Sequence, residues 1–472
     1  MGPLAIKSTE SPSARTDGLR FGSRYRPDRL PMRRIVLAVL LWQLGAPAQD
    51  NKNSALEKIS LGTRGTSTTF MKRREIMNGD AFSPDLPALP APDAIKNLSR
   101  YDAIWAANFL PLYNRPAWNF LRSTRPEILT LWYASADATQ TPDDFGWFDY
   151  DYIERNHPEW FIVKEKGADP RNPDNRVRWS IHTTIPTDHN RFYVNVANPE
   201  FQRWAAEWIL NRVSGKRDDN APKPFRSDPL EFPFHGFAAD YVNIGDSQLE
   251  IISRHHPNWQ YAGRFADWNS GFCQYLATVK EKLNEKDLIL VANHNLQYGS
   301  DVDAKWWDCL YRSVDGLVSE QPMSWMDRPY TQGAFAASLT WHEQTLQHGL
   351  IDWWVVYPPA DDTAERRIFL YYYCSWLLVK QPGRSFFYAT RGNPDWSNPG
   401  TPWYEEYDLP IGAPKSRRYQ QGECWMREYE NATIVVNPTQ TPQSILVNKV
   451  MVELSATEGR IVPKPVGGKS DR

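Results

Sequence analysis

The sequence predicts an α/β fold, a (β/α)8 barrel with a small C-terminal β appendage, and three observations carry that reading. Short apolar runs alternate with helix-like stretches from Tyr101 to Arg391, the pattern of a parallel sheet with crossover helices. Two of those runs, Gly236 to Asp240 and Gly316 to Glu320, end on a carboxylate where hydrophobic continuity stops, as a buried parallel strand does at its C-terminal mouth. The chain has 472 residues, room for a barrel of roughly 250 residues and a further small unit.

Ahead of the barrel, Met32-Arg33-Arg34 opens an apolar run from Ile35 to Leu44 that closes on Ala46-Pro47-Ala48. A charged start, a short apolar centre and an A-x-A end predict a secretory signal, too short to cross a bilayer as an anchor. Its distance from Met1 suggests translation from Met32, with the mature chain beginning near Gln49 in a secreted or periplasmic protein. Residues 1–48 are thus extension and signal. Residues 49–99, polar and then Pro-rich, read as a disordered linker.

Strand one is expected over Asp102–Phe109, a helix near Arg115–Arg125 and strand two over Ile128–Ala134. The stretch from Ala136 to Asn190 is a long aromatic insertion, and its place after a barrel strand predicts that it lies over the active-site face. Strand three is expected near Phe192–Val196; Asn198-Pro199 then caps a helix to about Val213, with Asn as N-cap and Pro at the first helical position. Strand four ends on Asp240, strand five covers Leu288–Asn293, strand six ends on Glu320, strand seven covers Ile351–Tyr357 and strand eight Ser385–Ala389, with a helix between each pair. The barrel is therefore placed over residues 100–391. Runs at Glu423–Tyr429 and Ala432–Asn437, separated by Glu430-Asn431, read as a hairpin in a β domain over residues 392–455, with a polar tail over 456–472.

The charge balance is near neutral, with 54 Lys+Arg against 56 Asp+Glu, so no basic field recruits nucleic acid or an anionic membrane. No membrane association is expected once the signal is removed, and the sequence does not specify an oligomeric state. The 21 Trp, 22 Tyr and 20 Phe offer flat faces suited to stacking on sugar rings, although most aromatics in any fold are core. Cys273 and Cys309 fall on consecutive helices, placed either to bridge or to remain small buried thiols. His342-Glu343 with His348 lacks the i, i+4 spacing of a zinc helix, and there is no nucleophile elbow, dinucleotide fingerprint or P-loop. No metal and no cofactor are expected.

In a barrel, strands of like parity share layers, so Asp240 and Glu320 could face one another across a substrate. Two facing carboxyls are what hydrolysis of a glycosidic bond requires: one to attack or activate water, one to protonate the leaving oxygen. Asn108, Asn293, His294 and Tyr357, at neighbouring strand ends, and Trp147 in the insertion are the candidate contacts to a carbohydrate substrate. A non-catalytic carbohydrate-binding protein on the same scaffold is the alternative.

Several motifs together resemble the hypothetical glycosyl hydrolase family fifteen. They are Ala238-Ala239-Asp240-Tyr241, Gly316-Leu317-Val318-Ser319-Glu320, His157-Pro158-Glu159-Trp160-Phe161, Asn198-Pro199 before a helix, and Arg427-Glu428-Tyr429 leading to Ile434-Val435-Val436-Asn437-Pro438. The resemblance implies a TIM barrel related to the α-galactosidase-like and polygalactosaminidase-like barrels. It also implies a strand-four nucleophile and a strand-six general acid/base, which map onto Asp240 and Glu320.

Overall fold

The computed structural model describes residues 67–68, 99–105, 107, 111, 115–141, 148–178, 190–216, 230–294, 304–325, 328–329, 332–358, 362–389 and 403–465. Seven parallel strands make a nearly closed, barrel-like sheet: β2 (Ala103–Ile104), β3 (Leu129–Ser135), β6 (Gly236–Val242), β7 (Ile289–His294), β8 (Gly316–Glu320), β11 (Ile351–Val356) and β12 (Ser385–Ala389). A two-residue strand, β1 (Ser67–Thr68), pairs parallel with β2 and has Cα atoms within 8 Å of β12, so it stands at the gap. In sheet order β6 is then fourth and β8 sixth.

Helices join the strands: α1 (Arg115–Thr124) before β3, α3 (Pro199–Val213) before β6, α4 (Asp246–His255) and α5 (Phe265–Asn284) before β7, α6 (Ala304–Ser313) before β8, α7 (Gln332–Gln347) before β11, and α8 (Asp362–Val379) before β12. The expected cap of α3 is present, with Asn198 Oδ1 accepting from Glu200 N at 2.8 Å and Phe201 N at 3.3 Å behind Pro199. Gly236 and Gly316 open β6 and β8 where a side chain would not fit. A Cβ on Gly236 would overlap the carbonyl of Ile289, and one on Gly316 would come within 2.7 Å of the Ile351 Cβ.

Strand alternation sorts the side chains into two layers. Ala103, Leu129, Leu131, Ala238, Ile289, Val291, Val318, Ile351, Trp353, Val355, Phe386 and Tyr388 fill the barrel interior, where Trp105 and Trp353 meet edge to face. Their neighbours, Trp132, Phe237, Ala239, Leu290, Ala292 and Leu317, face the helices. Cys273 of α5 and Cys309 of α6 form a disulfide across 36 residues of sequence.

Three sequence expectations change for the barrel and the chain ahead of it. The run taken as strand three is outside the barrel: β5 (Asn190–Tyr193) pairs antiparallel with β4 (Ala138–Thr141), so it closes the insertion. Apolar alternation is the same in a two-stranded ribbon as in a sheet strand, which is why the pattern misled. Ser67–Thr68, inside the expected linker, is a strand despite having no apolar signal at all. Of strand one, Ala103–Ile104 is strand, and Phe109 lies outside the described residues.

The insertion leaves β3 at its C-terminal end. It carries α2 (Tyr150–Asn156) and is organised around Arg176, which is fully buried. That guanidinium donates to Tyr150 Oη at 2.7 Å, Glu154 Oε1 at 3.0 Å and the Pro170 carbonyl at 2.7 Å. Phe148, Tyr150 and Trp160 are core residues here, so these aromatics hold the insertion together.

After β8 comes a two-stranded ribbon, β9 (Ser324–Trp325) with β10 (Arg328–Pro329). C-terminal to β12, β13 (Tyr419–Gln421), β14 (Cys424–Glu428), β15 (Ala432–Asn437) and β18 (Glu458–Pro463) form an antiparallel sheet, with β16 (Gln443–Val447) and β17 (Val450–Leu454) as a separate hairpin. The predicted β14–β15 hairpin is present. Glu458–Pro463, read as part of the tail, is instead the strand paired to β15, with Gly459 and Val462 buried. Tyr429, Ile434 and Val436 share a buried cluster with Phe369, Tyr373 and Trp376 of α8. Arg427 Nη1 donates to the carbonyls of Leu377, Leu378 and Lys380 at 3.1, 3.1 and 2.9 Å, which caps the C-terminus of α8.

Candidate active site

The interior parity that fills the barrel continues to its C-terminal mouth and changes chemistry there. After Leu131 comes Tyr133, after Ala238 comes Asp240, after Val291 comes Asn293, after Val318 comes Glu320, and after Val355 comes Tyr357. Two residues per step return to the same face of a strand. Five polar side chains from five strands therefore converge above an apolar plug.

Asn293 is their hub. Its Nδ2 donates to Asp240 Oδ1 and to Glu320 Oε1, 2.8 Å in each case. An amide nitrogen has two hydrogens, one for each carboxyl. Those two oxygens are at most about 5.6 Å apart, twice that bond length, which is compatible with the ~5–5.5 Å carboxyl separation of retaining glycosidases. Tyr133 donates its hydroxyl to Asp240 Oδ2 at 2.5 Å, and Tyr357 hydrogen-bonds Glu320 in the corresponding way.

Asp240 is buried, and burial pushes its carboxyl above the usual range while the hydrogen bonds from Tyr133, Asn293 and the Tyr241 amide pull it down. Glu320 ends its strand at the lip of the mouth and is exposed. Its carboxyl is pushed up to about 7, first by the packed strand ends around it and then by the charge of Asp240, against hydrogen bonds from Asn293 and Tyr357. Water at the lip moderates the first effect; the charge of Asp240 needs no burial and keeps the direction upward. The two carboxyls do not ionise independently, and the charge of Asp240 holds the proton on Glu320 to higher pH.

The backbone at both carboxylates is unusual in the same way. Tyr241, which follows Asp240, has φ 54°, and Gln321, which follows Glu320, has φ 49°. Left-handed backbone at such residues costs on the order of 1–3 kcal/mol and persists where surroundings over-determine it, often at functional sites. At β6 the register against β7 also shifts between Ala239 and Val242, a bulge that re-aims the strand end.

His294 is not brought to this group, which corrects its place among the expected substrate contacts. One residue past Asn293, it faces the helix layer, where its ring meets Trp307 edge to face at 4.8 Å and its Nε2 lies 3.4 Å from Ser319 Oγ. Burial and the nearby His342 lower its pKa to about 3, so the ring is neutral and has no route to a ligand at the mouth. Asn108 and Trp147 lie outside the described residues. Tyr133 was missed in the sequence, although counting back by twos from Ser135 along β3 would have found it. Also missed was Asp137, a fully buried carboxyl two residues past β3.

Among the described residues no group of three or more His, Cys, Asp or Glu side chains is disposed to hold a metal ion, and no helix is long and apolar enough to cross a membrane.

No family model and no curated protein matches this chain, so the resemblance to family fifteen rests on its short motifs. Among solved structures, the cycloalternan-forming enzyme from Listeria monocytogenes, in complex with a pentasaccharide substrate, is similar at 11% identity and a TM-score of 0.34. The similarity covers 73% of this chain and 34% of that one, so the chain spans about a third of that enzyme's length.

Proposed function

We propose that this chain is a retaining O-glycoside hydrolase, with Asp240 as nucleophile and Glu320 as general acid/base, on a (β/α)8 barrel in which β1 is the first strand. The observation that carries the reading is the Asn293 amide, 2.8 Å from both carboxyls. It brings one oxygen of each carboxyl within reach of the same donor, which supports the short carboxyl separation of a retaining enzyme.

In the first step an oxygen of Asp240 bonds to the anomeric carbon as the glycosidic C–O bond breaks, and the leaving oxygen takes the proton of Glu320. In the second, Glu320, now a carboxylate, takes a proton from water as that water attacks the anomeric carbon and releases Asp240. A group at about 7 can hold and return a proton near neutrality, which fits Glu320. Hydrogen bonds from Tyr133 and Asn293 favour the ionised form of Asp240 and aim it, and the hydrogen bond with Tyr357 orients Glu320. Asn108 and Trp147 are proposed sugar contacts. We also propose export through the Arg33-Arg34 to Ala48 signal; the Cys273–Cys309 disulfide supports an oxidising compartment.

The test is a panel of 4-nitrophenyl and 2,4-dinitrophenyl glycosides with the chain from Gln49 to Arg472. At least one should be hydrolysed, and Asp240→Asn should abolish turnover on all. Glu320→Gln should keep a fast first step on the dinitrophenyl substrate, with azide restoring rate as a glycosyl azide of retained configuration. Wild-type activity in Asp240→Asn sinks the assignment. Sugar affinity without turnover would favour the binding-protein alternative.

A further inference from the structure

Asp137 is a second fully buried acid close to Asp240, and the proposed chemistry leaves it unused. Asn243 Nδ2 donates to its Oδ2 at 2.7 Å, and Ser135 Oγ lies 3.5 Å from its Oδ1. Asn243 is itself buried, accepts the indole N–H of Trp268 on its carbonyl at 3.0 Å, and donates its backbone N–H to the Tyr241 carbonyl at 2.8 Å. One residue before Asp137, the Ala136 N–H donates to the Asp240 carbonyl at 2.7 Å. The Ala136–Asp137 pair therefore grips β6 on both sides of Tyr241, backbone to backbone at Asp240 and side chain to side chain at Asn243. Between the two grips lie the register shift and the left-handed turn at Tyr241. A tyrosine would leave that conformation if nothing held it. Rotating it into ordinary strand geometry would swing the Asp240 side chain away from the barrel axis.

We propose that Asp137 is a positioning residue for Asp240: by holding Asn243 it keeps the Asp240–Tyr241 bulge wound and so aims the Asp240 carboxyl at Tyr133 and Asn293. The catalytic meaning rests on Asp240 being the nucleophile, but the aim itself is tested without turnover. The groups that face Asp137 are Asp240 and Tyr241 on β6, Tyr193 on β5 and Tyr275 on α5, with Arg191 of β5 facing Tyr241. Burial, with the charge of Asp240 adding to it and the Asn243 hydrogen bond opposing it, raises Asp137 to about 8, so at neutral pH it is a neutral acid that does not compete with Asp240 for the charge of the site. A neutral acid can be replaced by its amide, whose oxygen still accepts from Asn243. It cannot be replaced by a hydrocarbon.

The experiment is a pH titration of the full chain by NMR with 13C-labelled side-chain carboxyls, on wild type, Asp137→Asn and Asp137→Leu, with a crystal structure of the leucine variant. In Asp137→Leu, Tyr241 should relax to ordinary strand φ, Asp240 should leave Tyr133 and Asn293, and the Glu320 midpoint should fall from about 7 toward an ordinary carboxylate as the neighbouring charge withdraws. Asp137→Asn should leave the Glu320 midpoint where it is and erase the event near pH 8. Should the leucine variant not fold, Asn243→Ala removes the donor alone and should lower the Glu320 midpoint in the same direction. On any glycoside that is turned over, the leucine variant should lose kcat with KM held, and the asparagine variant should restore it. An unchanged Glu320 midpoint with Asp240 still on Tyr133 and Asn293, in either clamp-breaking variant, overturns the proposal. So does an asparagine variant that shifts it as far as leucine. Failure of the glycosidase reading would look different: no turnover by wild type, with these titrations intact.

Discussion

Asn293→Ala is the perturbation that presses hardest on the site, because one nitrogen serves both carboxyls. The side chain is nearly buried and makes no other contact that the proposed chemistry needs. Its bond to Asp240 is charge-assisted, and such bonds contribute about 1.5–3 kcal/mol net, so if the loss falls on the transition state kcat/KM should drop roughly 10- to 150-fold. The pH profile carries a sharper signature. Hydrogen bonds from Asn293 favour the ionised form of both carboxyls, so removing them raises both titrations. The acid limb of kcat/KM, which follows ionisation of Asp240, should move to higher pH. The alkaline limb, which follows loss of the Glu320 proton and lies near 7 in wild type, should move up as well. The whole bell is displaced without narrowing. Water at the open mouth can fill the space left, so thermal unfolding should shift little. The assay is kcat/KM against pH on the best aryl glycoside from the panel, with calorimetry as the control for folding. A bell that stays in place, or a loss below about two-fold where at least 10-fold is expected, refutes the shared-donor argument.

Two further outcomes concern stability. Replacing Cys273 and Cys309 by serine removes a cross-link over 36 residues, a loss of about 4 kcal/mol by the chain-entropy argument, read by urea unfolding with and without reductant on the wild type. A midpoint insensitive to reductant would mean that the bridge is not formed. The second is the pH dependence set by Asp137: its folded pKa is raised from 3.8 to about 8, so between those values the folded chain holds a proton that the unfolded chain has released. Its contribution to stability is then full below the unfolded value and falls as pH rises toward 8, with a slope of up to about 1.4 kcal/mol per pH unit. Asp137→Asn should flatten that part of the stability curve, and an unchanged slope would place the proton elsewhere.

Much of this site could be read in the sequence because the interior of a parallel barrel obeys a strict alternation. Ala238 to Asp240, Val291 to Asn293, Val318 to Glu320 and Val355 to Tyr357 are each one step along the same face, so a reader who trusts the apolar run can extend it into the site. The same rule explains the errors. Asn293 and His294 are consecutive and cannot both face inward; the register of β7, fixed by Ile289 and Val291, selects Asn293. Tyr133 obeys the alternation but was hidden among the aromatics of Trp132-Tyr133. Asp137 lies beyond the end of its strand, where no period applies, and its hydrogen-bond partner Asn243 is more than a hundred residues away. The strands that were misplaced, Ser67–Thr68 and Asn190–Tyr193, are short, and their pairing partners are set by tertiary context that no local pattern records.

The central claim, that Asp240 attacks the anomeric carbon, is tested most directly by trapping. The wild-type chain is incubated with the activated fluorosugar that corresponds to its best aryl glycoside and then digested, and the labelled peptide is sequenced by mass spectrometry. The account predicts a mass increase of one fluoroglycosyl group on the side chain of Asp240 and none on Glu320. A label on Glu320, or complete turnover of the fluorosugar's parent glycoside with no covalent label anywhere and an inverted first product, would contradict it.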